Sequence, residues 1–333
     1  MACVLACAGR FAAPVVAEPP KAKPPRKTLP PVVRHAIHYP PGFDPAYKLT
    51  PVLFAFHGTG GNGEQMLQIW QEACDRLGVI LVTGRGSSAM GEGWSWSGFE
   101  DAGKVIDAAK IEIRKKTKLD TSAPRVLTGF SQGGWATWGL GHQYPTNYRR
   151  LIPVCGMWMP RTDAMAKGLT DEDKAKMKRW RVYIMVGVKD IGEMVPNNNW
   201  AASQLEMVGA AVWAPFREKR DPSFDLYQDI GHGFPGKDQT ERTAELVRAL
   251  KFVLRGDEQD QANWAKVDPK WRERPWWKDA PEDVPEKAAR QTGKPDGKGA
   301  ARSAGAKKSG GGNSGKAARK ATSQPTKSKR PAE

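Results

Sequence analysis

Arg125-Val-Leu-Thr-Gly-Phe-Ser-Gln-Gly-Gly-Trp135 sets a serine between small residues at the point where a strand should turn into a helix. Val126, Leu127 and Thr128 form a β-prone run, Gly129 and Gly133 stand two residues either side of Ser131, and residues 134–142 read as a helix. In this G-x-S-x-G setting the tight turn tolerates no bulk at the flanking positions and leaves the serine hydroxyl exposed. A pattern with three fixed positions arises by chance in long chains, so Ser131 needs partners with stated roles.

Working outward, the same alternation recurs on both sides. Residues 32–39 suit an edge strand closed by Pro40-Pro41, and residues 51–56 are continuously apolar, as in a strand covered on both faces. Residues 64–77 carry apolar side chains at close to the helical period and stop at Gly78; a buried strand follows at 79–82. A Gly/Ser/Trp loop (83–99) leads to an amphipathic helix at 100–116. Beyond Ser131 come a short strand at 151–155, where Pro153 is a defect for a central position, and an insertion at 156–179 ending in a charged helix. A strand at 181–186, a helix at 196–208, a strand near 224–227 and a last helix at 240–254 complete the series. Strands alternating with helices predict a single α/β domain with a mostly parallel sheet and helices on both faces.

Composition marks the ends of that domain. The chain has 333 residues and a formal charge of +16. Residues 286–333 hold 13 Lys and Arg against 3 Asp and Glu, and residues 1–35 hold 6 against 1, which leaves the remainder at only +1. The basic excess therefore belongs to the ends, and the folded part is not a nucleic-acid binder by charge. The segmentation expected is a possible export segment and Pro/Lys-rich linker at 1–31, the folded domain at 32–256, a Trp/Pro-rich extension at 257–285 and a disordered basic tail at 286–333. The tail lacks aromatic residues for base stacking, so it suits nonspecific, salt-sensitive contact with anionic polymers or surfaces, or simple solvation.

The N-terminus reads two ways. Residues 1–17 are apolar and end in a small-residue run like a cleavage site, but Arg10 interrupts them and no basic segment precedes them. An exported or envelope location is favoured over a cytoplasmic one. No run of 18 apolar residues exists that would span a membrane. Cys3, Cys7, Cys74 and Cys155 lack metal-ligand spacing, so no metal or other cofactor is expected; Cys74 and Cys155 read as buried thiols, with one disulfide open to an exported protein.

A serine nucleophile requires a base to take its proton and an acid to orient that base. His35 and His38 lie in the first strand, His57 opens a glycine loop, and His142 is more than two turns from Ser131 along its helix. His232, in a loop between the last strand and last helix, remains. For the acid, Asp190 after the 181–186 strand fits best, with Glu193, Asp225 and Asp229 as rivals. Acyl transfer also needs N–H donors for the oxyanion. Gln132, following the nucleophile, should give one, and Thr59 in His57-Gly-Thr-Gly-Gly61 the other.

Together, His57-Gly-Thr-Gly-Gly61, Gly129-Phe-Ser-Gln-Gly-Gly134, Val186-Gly-Val-Lys-Asp190 and Gly231-His-Gly-Phe234 resemble the carboxylesterase, phospholipase and acyl-protein thioesterase branch of the α/β-hydrolases, with dienelactone hydrolases and polyhydroxybutyrate-depolymerase-like esterases as neighbours. The likeness runs from about Pro51 to Leu254. It implies a triad of Ser131, Asp190 and His232, in the family's chain order, and hydrolysis of small-molecule or lipid-like carboxylic esters without a cofactor. The valine-proline that usually follows the acid closely stands further on here, as Val195-Pro196. Trp94, Trp96 and Trp158 are candidates for an aromatic substrate wall or for packing. Two alternatives stand beside esterase: a thioesterase using the same machinery, and a catalytically silent hydrolase fold serving as a binding or cell-surface module.

Overall fold

A computed structural model of the chain describes residues 35–158 and 170–278. The segments 1–34 and 279–333, and with them the export segment, the linker and the basic tail, lie outside the described residues, as do Cys3, Cys7 and residues 159–169 of the 156–179 insertion.

Seven strands form one sheet in the order β1-β3-β2-β6-β7-β8-β9. These are β1 (His35–His38), β2 (Val52–Phe56), β3 (Ile80–Gly84), β6 (Arg125–Phe130), β7 (Arg150–Val154), β8 (Arg181–Tyr183) and β9 (Ala211–Trp213). A small hairpin, β4 (Ser88–Met90) and β5 (Gly93–Ser95), stands apart from the sheet. Only β1 runs antiparallel, along β3; every other pairing in the sheet is parallel. Every residue of β2, β3 and β7 is buried, because both faces of the sheet are covered, and this is why their sequences read as apolar runs without alternation.

The covering helices form two layers. On one face α1 (Gly63–Leu77) packs with α7 (Gln239–Leu254), and on the other α2 (Phe99–Lys116) packs with α3 (Gln132–Gln143). The start of α1 is well specified: Asn62 caps the Gln65 N–H and the Gln65 side chain returns to the Asn62 N–H. Gly78, in the left-handed conformation with φ 67°, ends the helix and frees the chain to enter β3. Two further helices, α4 (Asp171–Met177) and α5 (Met194–Met207), precede and follow β8 in the chain. The α/β architecture predicted from alternation is the one observed.

Two local expectations are corrected. The segment predicted as a strand near 224–227 is a helical turn, α6 (Asp225–Gln228), and the last strand is β9, further back. Tyr227 is fully buried with its hydroxyl on Glu245 Oε1 at 2.7 Å; one apolar anchor per turn, not alternation, is what the segment needs. Pro153 does occupy a central strand. Its missing N–H faces β8, and the β7–β8 ladder is interrupted there: it stops at Leu151 with Val182 and resumes as an isolated bridge from Val154 to Met185, whose N–H donates to the Pro153 carbonyl at 3.0 Å.

The tryptophan-rich extension packs into the same core. Asp257 and Asp260 form a capping box that starts α8 (Glu258–Val267), and Asp260 takes ion pairs from Arg149 and Arg150 at 2.8 and 2.5 Å. Trp264, Trp271 and Trp276 are at most 2 % exposed and stack on one another at centroid distances of 5.2 to 5.9 Å. The Trp264 indole N–H donates to the Ser122 carbonyl at 2.9 Å.

Candidate active site

Ser131 sits between the end of β6 and the start of α3 with φ 54° and ψ −113°. A non-glycine residue in this region costs about 1–3 kcal/mol, a strain that survives only when the surroundings enforce it. Here they do. The Ser131 N–H donates to the Val154 carbonyl at 2.8 Å, tying the turn to the neighbouring strand, and its carbonyl accepts the Trp135 N–H at 3.0 Å as the first bond of the helix. The glycines flanking the serine are needed for contact: a Cβ on Gly129 would lie 2.3 Å from the Gly133 carbonyl oxygen, and one on Gly133 would lie 2.2 Å from that of Phe56.

His232 and Asp190 arrive from separate loops that are stitched together. The Val188 N–H donates to the Tyr227 carbonyl at 2.9 Å, the Lys189 N–H to the Ile230 carbonyl at 3.0 Å, and Lys189 Nζ pairs with Asp229 at 2.8 Å. Gly187 permits the approach, since a Cβ there would meet the Ile230 carbonyl oxygen at 2.2 Å. As a result His232 Nδ1 lies 2.7 Å from Asp190 Oδ1, and that oxygen also accepts the Ile191 N–H at 2.7 Å. The Asp190 side chain is fully buried. Its rivals are elsewhere: Asp229 is exposed and paired with Lys189, whose ammonium holds its carboxyl below the usual range, while Glu193 and Asp225 are exposed and make no hydrogen bond to His232.

The imidazole of His232 lies 5.0 Å from the ring of Phe130, the residue before Ser131, and that ring lies 5.4 Å from the ring of Phe234. With Nδ1 engaged by Asp190, Nε2 is the nitrogen left for a serine proton. Among the described residues the hydrogen bond from Ser131 Oγ to His232 is not made.

Thr59 and Gln132, the two residues singled out as oxyanion donors, lie side by side through their side chains. Thr59 Oγ1 lies 3.4 Å from Gln132 Oε1, and neither backbone N–H is engaged by a hydrogen bond among the described residues. The Gln132 side chain has a second task that sequence reading missed. Its Oε1 accepts from Ser95 Oγ at 2.9 Å and the Trp96 N–H at 3.0 Å, and its Nε2 donates to the Trp96 carbonyl at 2.9 Å, so the residue after the serine pins the end of the β4–β5 hairpin over the site. The hairpin in turn holds the glycine loop: Gly60 N–H donates to the Trp94 carbonyl and Trp94 N–H to the Gly61 carbonyl, both at 2.9 Å.

His57 is a structural histidine. It is 1 % exposed, its Nε2 accepts the Gly86 N–H at 3.0 Å, and Nδ1 lies 2.6 Å from the Gly58 carbonyl. Burial holds its pKa below the ordinary value, so the ring is kept neutral.

The aromatic wall is corrected. Trp96 is 3 % exposed, with its indole N–H on the His57 carbonyl at 2.8 Å, and Trp158 is fully buried between Trp138 and Trp200. Both are core. Trp94 alone is partly exposed, with the Arg85 guanidinium 3.8 Å above its ring. Cys155 is the buried thiol expected from the sequence; it follows β7 with φ 48°, and its sulfur lies near Asp190 and His232, a neighbourhood the sequence reading did not foresee.

No family model and no curated protein matches the chain. Among solved structures it is similar to esterase PE8 (18 % identity, TM-score 0.47, 65 % of this chain and 99 % of that one). It is also similar to a ferulic acid esterase (16 %, TM-score 0.48, 66 % and 91 %) and a Bacillus cereus carboxylesterase (17 %, TM-score 0.44, 65 % and 93 %).

Proposed function

We propose that the chain is a serine hydrolase that cleaves carboxylic esters of small or lipid-like molecules through an acyl-enzyme intermediate. The observation that carries this reading is the 2.7 Å contact between His232 Nδ1 and Asp190 Oδ1, on loops stitched together beside a strained Ser131. Asp190 holds the tautomer in which Nε2 carries the lone pair. Ser131 Oγ attacks the ester carbonyl, and its proton passes to Nε2. The negative charge on the carbonyl oxygen is met by the N–H groups of Thr59 and Gln132, the latter at a helix N-terminus, each worth about 3–4 kcal/mol in the transition state. The imidazolium returns its proton to the leaving alcohol, and water then releases the acid by the same steps in reverse. All groups used belong to this chain.

Turnover of short-chain aryl esters by the full-length protein is the direct test. Wild type should release phenolate with a burst when deacylation is slow, and Ser131→Ala should lose about 10⁶-fold in kcat, the scale seen when a triad nucleophile is removed. A variant retaining wild-type turnover would overturn the assignment, and folded wild type inert toward every ester offered would favour the silent-fold alternative.

A further inference from the structure

We propose that Cys155, Asp190 and His232 together form a zinc site whose occupation switches the hydrolase off. One ligand atom from each residue, the Cys155 sulfur, a carboxylate oxygen and a ring nitrogen, all lie within 4.8 Å of one another. Cys155 and the Asp190 side chain are fully buried, whereas the His232 side chain is 25 % exposed on its loop. Asp190 Oδ2 is a buried oxygen with no hydrogen-bond partner, although Oδ1 has two. A buried carboxylate oxygen outside any conventional hydrogen bond is costly, and it stands beside the Cys155 thiol, whose sulfur lies 3.3 Å from the Gly233 carbonyl and whose weak S–H is shared between that carbonyl and the Asp190 carboxylate. Thiolate, imidazole and carboxylate are a donor set that suits zinc, and the two anionic ligands exactly balance a dication, so the buried complex carries no net charge.

Binding balances as follows. The zinc ion takes the Cys155 sulfur as thiolate, and the thiol proton leaves to solvent. It takes His232 through Nδ1, whose proton moves to Nε2 through solvent, and it takes the Asp190 carboxylate without proton change. Tetrahedral zinc with bonds of about 2.0–2.3 Å places its ligand atoms roughly 3.5 Å apart, so the more distant donors must close in while His232 Nδ1 moves off Asp190 Oδ1, now 2.7 Å away. The half-exposed His232 loop, with glycines on both sides, is the part that can move. Once Nε2 carries a hydrogen it cannot accept the Ser131 proton, and turnover stops. This last consequence rests on the catalytic roles proposed above; the metal site itself does not.

The test uses the full-length, chelator-treated protein with cobalt(II) as a spectroscopic stand-in and zinc(II) as the ligand proper. Cobalt should produce a thiolate-to-metal charge-transfer band and the d–d bands of a tetrahedral ion. Both should vanish in Cys155→Ser and in His232→Asn, with zinc displacing cobalt from wild type. Zinc affinity measured by calorimetry should fall at least about 100-fold in Cys155→Ser, the upper end of what losing a mere supporting partner costs. In wild type, zinc should abolish aryl-ester turnover and a chelator should restore it, while Cys155→Ser, folded by circular dichroism, should resist inhibition. Absence of the charge-transfer band, or a band unchanged in Cys155→Ser, overturns the site. Binding at Cys155 with ester turnover undisturbed overturns the switch. If metal-free wild type hydrolyses no ester and Ser131 resists acylating probes, the catalytic reading fails while the cobalt spectra still decide the metal site.

Discussion

At the scale of single residues, two histidines of one chain do opposite work, and their surroundings decide which. His232 has a buried carboxylate on Nδ1 and one face toward solvent; His57 has a carbonyl on one nitrogen, a backbone N–H on the other and no room for a proton. Because burial lowers the His57 pKa, the unfolded chain binds this proton more readily than the folded one. The stability contributed by neutral His57 is full above the unfolded value of about 6.5 and is lost as pH falls below it. The expected result is a fall in Tm between pH 7 and pH 5 that is smaller in His57→Gln, measured by thermal melts in matched buffers. Equal falls in the two proteins would contradict this account.

At the scale of elements, the site depends on loops that meet across the carboxyl ends of the strands. Gly187 is where the Asp190 and His232 loops meet most closely. In Gly187→Ala the new methyl would press on the Ile230 and Gly231 carbonyl oxygens, at 2.2 and 2.5 Å, and must push the His232 loop away from Asp190. A displacement of about 1 Å is enough to cost roughly 100-fold in rate, so kcat should fall by that order while the far-ultraviolet spectrum is retained. Unchanged kcat would mean the two loops do not need this contact. The same loops mark where sequence reading stops. The proximity of His232 to Asp190, and of Thr59 to Gln132, was legible because each of these residues stands at a strand end or beside a glycine that local chemistry dictates. Trp96 and Trp158 were not, since an indole in a loop has the same letters whether it faces substrate or a neighbouring tryptophan. Cys155 was legible as a buried thiol but its neighbours were not, because Asp190 and His232 reach it from two loops remote in sequence.

At the scale of the whole molecule, the doubly covered sheet was legible from its apolar strands, because burial on both faces erases alternation in the sequence itself. The helical turn at 225–228 and the short β9 were misjudged, since pieces of three or four residues carry no period to read. The tryptophan-rich segment after α7 was expected as an extension separate from the folded domain, yet Trp264, Trp271 and Trp276 belong to the main hydrophobic cluster. Trp264→Ala should therefore destabilise the whole domain by about 3–5 kcal/mol in chemical denaturation, lowering the single unfolding midpoint. A loss under about 1 kcal/mol, or a separate early transition, would show that α8 and its tryptophans are an appendage.

All of these scales converge on one hydroxyl, placed by a strained turn and, in the proposed mechanism, served by groups from three other segments. Its reactivity is measured by treating folded, metal-free protein with a fluorophosphonate and locating the adduct by peptide mass spectrometry. The account predicts a single adduct on Ser131, formed far more slowly in Asp190→Asn, which by analogy with a triad aspartate in a serine protease should lose about 10⁴-fold. Wild type that stays unlabelled, or that is labelled at another serine, would contradict it.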